Sequence, residues 1–180
     1  GEEHFAHAVI LATGSGYREL GIPGEKEFSG HGVSWCATCD GFFFKDQQIA
    51  VVGGGDSAVE EATFLTRFAS RVFLIHRRNE LRASKIMADR ALKDPKITPV
   101  WNSEVIEAKG DAKLSSIVVR DVKDGRTTDL PVTGLFIAIG HDPRSEIVAD
   151  QVDLDDGYVK VDSPGTQTSQ SGVFACGDLV

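Results

Sequence analysis

Cysteine is scarce in this 180-residue chain: there are three, and two of them, Cys36 and Cys39, stand in one C-x-x-C. That usage excludes a secreted disulfide scaffold, which is stapled by several bridges. Positive charge is also short, with 19 Lys and Arg against 27 Asp and Glu and a formal net charge of −8. Binding nucleic acid needs a basic surface, so that role is set aside, although a local basic pocket stays open. No apolar run approaches the length that spans a bilayer, and no transmembrane helix is expected. The opening Gly1-Glu2-Glu3-His4 lacks the basic, apolar start of a signal peptide. Low-complexity segments and repeats of solenoid period are missing too. What remains is an ordinary globular composition, 41% hydrophobic and 26% charged, read best as cytoplasmic.

Both ends read as core strands. His7 to Gly14 is apolar and begins almost at residue 1; Gly172 to Val180 is a strand and turn at the other end. Starting and stopping inside core strands leaves sheet pairing groups without partners. The sequence is therefore expected to be an internal fragment of a longer chain.

Between the ends, Glu25 to Gly32 reads as a loop. From Gln48 the pattern is β-α-β. Ile49 to Val52 is a continuous apolar run, as in a strand buried on both faces. Ala58, Val59, Ala62, Leu65 and Phe68 then recur at helical spacing, leaving Glu60, Glu61 and Arg67 to the other faces. Arg71 to His76 reads as the second parallel strand, and Ala83 to Leu92 as a helix closed by Pro95. Ser103 to Lys109, Leu114 to Val122 and Thr127 to Val132 are expected as strands, with Asp124-Gly125 as a hairpin turn. Leu135 to Ile139, Gly157 to Val161 and a strand around Phe174 follow.

Two motifs carry chemistry. Gly53-Gly54-Gly55-Asp56-Ser57-Ala58 is a Gly-x-Gly-x-x-Ala turn placed between strand and helix. Gly53 allows a tight turn, Gly55 lets backbone approach a pyrophosphate, and small Ala58 lets helix and strand pack closely. An NAD site expects an acidic residue about twenty residues on, accepting from the ribose 2′-hydroxyl. Here His76-Arg77-Arg78 stands at that place, with Arg82 one turn further. Guanidinium groups suit a 2′-phosphate. The plain alternative for such a run is a solvated face, but its position favours NADPH.

Cys36 and Cys39 have three readings. A zinc half-site needs further ligands, and Cys176 is alone while the histidines show no paired spacing. A static structural disulfide is unusual in the cytosol. A redox pair is left, and the nucleotide turn beside it supports that reading. Asp40 is open between two readings, a proton shuttle to a thiolate and a turn residue before Gly41. Cys176 reads as a small buried hydrophobe, and Trp35 as packing.

Val33-Ser34-Trp35-Cys36-Ala37-Thr38-Cys39-Asp40-Gly41-Phe42-Phe43, the Gly53-to-Ala62 turn and helix, and His76-Arg77-Arg78…Arg82-Ala83 closely resemble low-molecular-weight, bacterial-type thioredoxin reductases. Ala12-Thr13-Gly14, Ala138-Ile139-Gly140-His141 and Thr168…Val173 to Asp178 fit the same pattern. The resemblance implies an α/β flavoprotein, a Rossmann-like NADPH domain inserted in an FAD domain. It places the NADPH domain at residues 21–138 and parts of the FAD domain at 1–20 and 139–180. It implies that electrons pass from NADPH to FAD, then to the Cys36–Cys39 disulfide, then to thioredoxin. Cys39 would face the flavin, Cys36 would attack the substrate, and Asp40 would be the acid–base partner. Ile139 and Gly140 would join Gly53, Gly55, Asp56, Ser57, Ala58, His76, Arg77, Arg78 and Arg82 at NADPH. Thr13, Gly14, Gly177 and Asp178 would lie at FAD. A homodimer is implied for the full-length protein, with no nucleic acid, membrane or metal involved. The family's first Gly-x-Gly-x-x-Gly, for the FAD pyrophosphate, is absent from this sequence. Two other readings are a sister flavoprotein acting on a peroxidase or small dithiol, and a non-catalytic NADPH-binding module.

Overall fold

The computed structural model describes residues 1–180 in full. They form two compact units, residues 1–17 with 141–180, and residues 18–140. β1 (Val9–Leu11) and β2 (Ser15–Tyr17) open the first unit, to which the chain returns at its far end.

The second unit runs through β3 (Val33–Ser34), a short α1 (Ala37–Asp40), β4 (Gln48–Val52), α2 (Asp56–Leu65), β5 (Arg71–His76), α3 (Lys85–Lys93) and β6 (Ile97–Trp101). An antiparallel sheet of β7 (Ser103–Gly110), β8 (Leu114–Asp121) and β9 (Thr127–Leu130) follows, before β10 (Gly134–Ile137) rejoins the first sheet. That first sheet has the order β3-β10-β4-β5-β6, and every pairing in it is parallel.

The apolar run of β4 is explained by two cores. Ile49 and Val51 join Ala58, Val59, Ala62 and Leu65 of α2 on one face. Ala50 and Val52 join Val105, Ile117 and Val119 of the antiparallel sheet on the other. Each Val, Ile or Leu side chain among them contributes roughly 1.5–3 kcal/mol by leaving water, so a polar residue between Ile49 and Val52 would be destabilising. The chain leaves β4 through α2 toward β5, while β10 lies on the opposite side of β4. Strand order therefore reverses there, and the crevice beyond the carboxyl ends of β4 and β10 is where open α/β sheets bind ligands.

One local reading needs adjustment, and two are borne out with detail. α3 begins at Lys85, not Ala83, because the N–H groups of Arg82 and Ala83 donate to the Gly54 carbonyl at 2.7 and 3.0 Å. Ser84 N–H likewise donates to Asp56 Oδ1 at 2.7 Å. These tertiary bonds hold the three residues off the helix. The Glu25–Gly32 loop is built around a buried carboxylate: Glu25 accepts from the N–H groups of Leu20, Gly21 and Ile22 at 2.8, 2.7 and 3.2 Å. Its charge is held by three backbone donors, the arrangement a buried carboxylate requires. Asp124-Gly125 does turn the β8–β9 hairpin, with Gly125 at φ 75° and Asp121 N–H donating to Arg126 O at 2.8 Å.

The first unit is completed by β11 (His141–Pro143), β12 (Leu154–Asp155), β13 (Tyr158–Val159) and β14 (Val173–Ala175). β1 pairs with β14 in parallel and β2 with β11 in antiparallel register. Leu11, Val152, Val159, Ala175 and Leu179 form its core. β1 is less buried than its composition suggests, since Val9 is exposed and Ile10 is 71% exposed. Its sheet has two strands only, so just one side of β1 finds apolar neighbours. Cys176 is half-buried and lies just past β14, not within an apolar strand.

Candidate active site

The glycine turn sits at the carboxyl end of β4. Gly53 has φ 149°, and a Cβ there would stand 2.3 Å from the Ala138 carbonyl oxygen and 2.6 Å from Ala58 Cβ. Gly53 therefore closes the crevice against the chain leaving β10, with Ala58 packed beneath it. Gly54 is demanded by a different neighbour: a Cβ on it would meet the His76 ring at 2.3 Å. At Gly55 nothing lies within 4 Å of that position, so its backbone is open to an approaching group.

Around this turn is a cavity of about 480 Å³. Of the residues expected to hold NADPH, Gly53, Gly55, Ser57, His76, Arg77, Arg82, Ile139 and Gly140 line it together. Three others do not. Ala58 is buried packing, Asp56 spends Oδ1 on Ser84 N–H, and Arg78 stands exposed nearby. Arg18, Ser103 and Glu104 line the cavity without having been singled out by the sequence. Arg18 is held there by its N–H, which donates to the Gly140 carbonyl at 3.1 Å, and Ser103 and Glu104 open β7. Glu104 is held by Arg120, whose Nε and Nη2 donate to Oε1 at 2.9 and 2.6 Å.

His76 is 6% exposed, and its Nε2 is buried with no hydrogen-bond partner. Burial lowers its pKa first, and the Arg82, Arg78 and Arg77 cations lower it further, opposed by a backbone hydrogen bond at Glu80. A buried donor or acceptor without a partner calls for an absent one. The orphaned ring nitrogen, the cationic Arg77 and Arg82, and the Cβ-free Gly53–Gly55 turn fit a phosphorylated dinucleotide.

The redox pair straddles the start of α1, with Cys36 at its N-cap and Cys39 inside it. Cys36 and Cys39 form a disulfide, Cα–Cα 5.3 Å. Cys39 N–H donates to Cys36 Sγ at 3.3 Å, and Thr38 Oγ1 lies 3.3 Å from the same sulfur. Asp40 Oδ2 accepts from the buried Ser34 hydroxyl at 2.6 Å. α1 rests on α2, because Ala37 shares a core with Ala58, Ala62 and Leu65 and a Cβ on Gly41 would touch Leu65 Cδ2 at 2.8 Å. The helix that begins at the glycine turn thus also supports the disulfide. Beside it, Phe42 and Phe43 are 68% and 71% exposed. Trp35 packs against the core, as expected, but its Nε1–H is buried without a partner.

Glu61 lies one turn before Leu65 on α2, and its Oε2 is buried and unpartnered. Burial, and then the neighbouring charge of Glu60, raises its pKa from 4.5 to about 7. A folded-state pKa above the unfolded one means that the stabilisation is complete below pH 4.5 and is lost as pH rises through 7. Glu61→Gln should therefore stabilise the protein at pH 8 by about 1–2 kcal/mol, allowing for partial solvent screening. The gain should fade toward pH 4.5. Urea unfolding at both pH values checks this; an equal effect at both would contradict it.

In the first unit, Leu11 pairs with Ala175, and Cys176 N–H donates to Leu11 O at 3.0 Å. Thr13-Gly14 and Gly177-Asp178 therefore both leave the carboxyl edge of one parallel strand pair. Gly14 and Gly177 have φ 69° and 76°, with open space where a Cβ would project. Thr13 Oγ1 donates to Arg144 O at 2.6 Å. Two open, glycine-bearing turns at such an edge fit one wall of a dinucleotide site.

The chain is similar to proteins already known. The pyridine nucleotide-disulphide oxidoreductase family matches residues 1–180. The chain is 63% identical to a thioredoxin reductase of Streptomyces coelicolor, over 100% of this chain and 56% of that protein. It is 56% identical to a bifunctional thioredoxin reductase/thioredoxin of Mycobacterium leprae, over 100% of this chain and 40% of that protein. Among solved structures, Lactococcus lactis thioredoxin reductase in its FR conformation superposes with a TM-score of 0.87 at 46% identity, covering 96% of this chain and 57% of that one. The chain thus spans little more than half the length of the thioredoxin reductases it matches.

Proposed function

The chain belongs to the pyridine nucleotide-disulphide oxidoreductase family, and from that premise we propose that it is the NADPH-binding, disulfide-bearing part of a thioredoxin reductase. One observation carries the reading: the dinucleotide cavity and the Cys36–Cys39 disulfide are both built on α2. Residues 21–138 serve as the Rossmann-type NADPH domain, and residues 1–20 and 139–180 as parts of an FAD domain. The full-length protein acts as a cytoplasmic homodimer. When bound, NADPH and FAD supply two electrons that open the disulfide. The residues of the chain do the rest.

Gly53, Gly55 and Ser57 receive the pyrophosphate at the start of α2, where the N–H groups of the first turn lack intrahelical partners. Arg77 and Arg82, with Arg78 beside them, hold the 2′-phosphate, and Ile139 and Gly140 close the cavity from β10. Thr13, Gly14, Gly177 and Asp178 face the flavin nucleotide. Once the disulfide is reduced, the Cys36 thiolate attacks one sulfur of the thioredoxin disulfide. The other sulfur leaves as a thiolate and takes a proton from Asp40. Cys39 then attacks Cys36 Sγ, re-forming the intramolecular disulfide and releasing the second thioredoxin thiolate. Exposed Phe42 and Phe43 offer the apolar footing on which a protein substrate can rest beside the pair.

The full-length protein supplied with NADPH should reduce oxidised thioredoxin in many turnovers. With NADH at the same concentration it should be slower by about tenfold or more, the scale of one charge-assisted contact. Absence of NADPH-dependent thiol formation in thioredoxin would overturn the proposal.

A further inference from the structure

We propose that Ser34 is a positioning residue that selects which oxygen of Asp40 carries the proton during thiol–disulfide exchange; this rests on the acid–base role given to Asp40 above. Ser34 ends β3, and its backbone is fixed by pairing with Phe136 of β10. The residue is 5% exposed. A serine hydroxyl has one proton to give and lone pairs with which to accept. Two acceptors compete for that proton, Asp40 Oδ2 at 2.6 Å and the Cys36 carbonyl at 3.4 Å. The shorter contact, to a carboxylate, wins. In the other direction the Cys36 N–H donates to Ser34 Oγ at 3.1 Å. The chain of donors therefore runs from the backbone of Cys36 through Ser34 to Asp40.

This chain has a direction, and the direction has a consequence. Oδ2 is occupied as an acceptor, so a proton on Asp40 resides on Oδ1. That oxygen is free to hand it to the thiolate leaving a substrate disulfide. The same hydroxyl ties the carboxylate to the peptide of Cys36, so acid and disulfide keep their spacing when the disulfide opens. Ser34 and Asp40 also line one cavity of about 400 Å³, together with His31, Gln47, Lys113 and Thr133. It gives Asp40 a route for reprotonation and leaves room for an added methyl group on Ser34. The titratable groups that share this cavity with Asp40 are His31 and Lys113.

The experiment uses the full-length protein, chemically reduced to the dithiol, in single-turnover reactions with two disulfides. Oxidised thioredoxin has a weakly acidic leaving thiol and needs a proton. A nitroaryl disulfide has an acidic leaving thiol that departs without one. Ser34→Ala should slow the thioredoxin reaction about tenfold, as loss of a charge-assisted hydrogen bond does. It should leave the nitroaryl reaction within about twofold, and Ser34→Thr, which keeps the hydroxyl, should hold the thioredoxin rate within about threefold. In an Asp40→Asn background, Ser34→Ala should add little, because its effect passes through Asp40. Equal slowing with both disulfides, additivity with Asp40→Asn, a wild-type thioredoxin rate in Ser34→Ala, or a Thr variant as slow as Ala would overturn the assignment. If Asp40→Asn alone leaves the thioredoxin rate unchanged, the acid–base role of Asp40 fails first and separately.

Discussion

Replacing Cys36 or Cys39 by serine in the full-length protein is expected to abolish thioredoxin reduction while flavin reduction by NADPH proceeds unchanged. The two sulfurs are bonded to each other at the start of α1, whereas the residues proposed for NADPH gather at the carboxyl end of β4. Serine keeps the size of cysteine but can neither form nor exchange a disulfide at physiological potential. Losing either sulfur should cost about a thousandfold or more, as expected when a nucleophile is removed. The two variants should also differ in kind. Cys39→Ser leaves the attacking thiol and should trap thioredoxin as a mixed disulfide, whereas Cys36→Ser should trap none. Stopped-flow absorbance reads the flavin step, and non-reducing gels read the trapped complex. A Cys36→Ser protein that still reduced thioredoxin at a comparable rate would contradict the relay.

Arg77→Ala should weaken NADPH binding about tenfold to a hundredfold, with NADH binding nearly unaffected. The guanidinium lines the cavity with Arg82 and the neutral, buried His76. Loss of one charge-assisted contact costs about 1.5–3 kcal/mol. NADH lacks the 2′-phosphate and forfeits nothing when the arginine is removed. Arg78 is exposed, as Arg77 is, but lies outside the cavity lining, so Arg78→Ala should act more weakly, through the local field. Calorimetric titration of both nucleotides against the three proteins checks this. Equal losses for NADPH and NADH in Arg77→Ala would mean that the arginine supports the fold and not the phosphate.

What the sequence made legible follows from the range of each interaction. β4, the glycine turn, α2 and β5 could be read because their signals are local. An unbroken apolar run, a turn that only glycine fits, and a helical stripe lie within thirty residues of one another. The sequence pattern starts α3 two residues early, because the N–H groups of Arg82, Ala83 and Ser84 are taken by Gly54 and Asp56, far back along the chain. Ile139 and Gly140 carry no chemical signal of their own. They reach the cavity because β10 lies beside β4, an adjacency set by sheet topology. Arg18, Ser103 and Glu104 carry no local signal either: Arg18 reaches the cavity through a backbone bond to Gly140 and the other two through the start of β7. The Ser34–Asp40 bond joins two residues of one motif, yet Ser34 is too common a residue type to signal it; the pairing of β3 with β10 aims the hydroxyl. β1 shows the opposite error, apolar in composition and exposed in the structure, because burial depends on what covers a strand.

The central claim is that one protein couples a nicotinamide nucleotide to the Cys36–Cys39 pair. Thiol mapping on the full-length protein tests it most directly: anaerobic incubation with excess NADPH, rapid alkylation, and identification of the labelled residues by mass spectrometry. The expected result is two new labelled thiols, at Cys36 and Cys39, appearing with NADPH and far more slowly with NADH, while labelling of Cys176 does not change. Labelling of Cys36 and Cys39 that is the same with and without NADPH would contradict it.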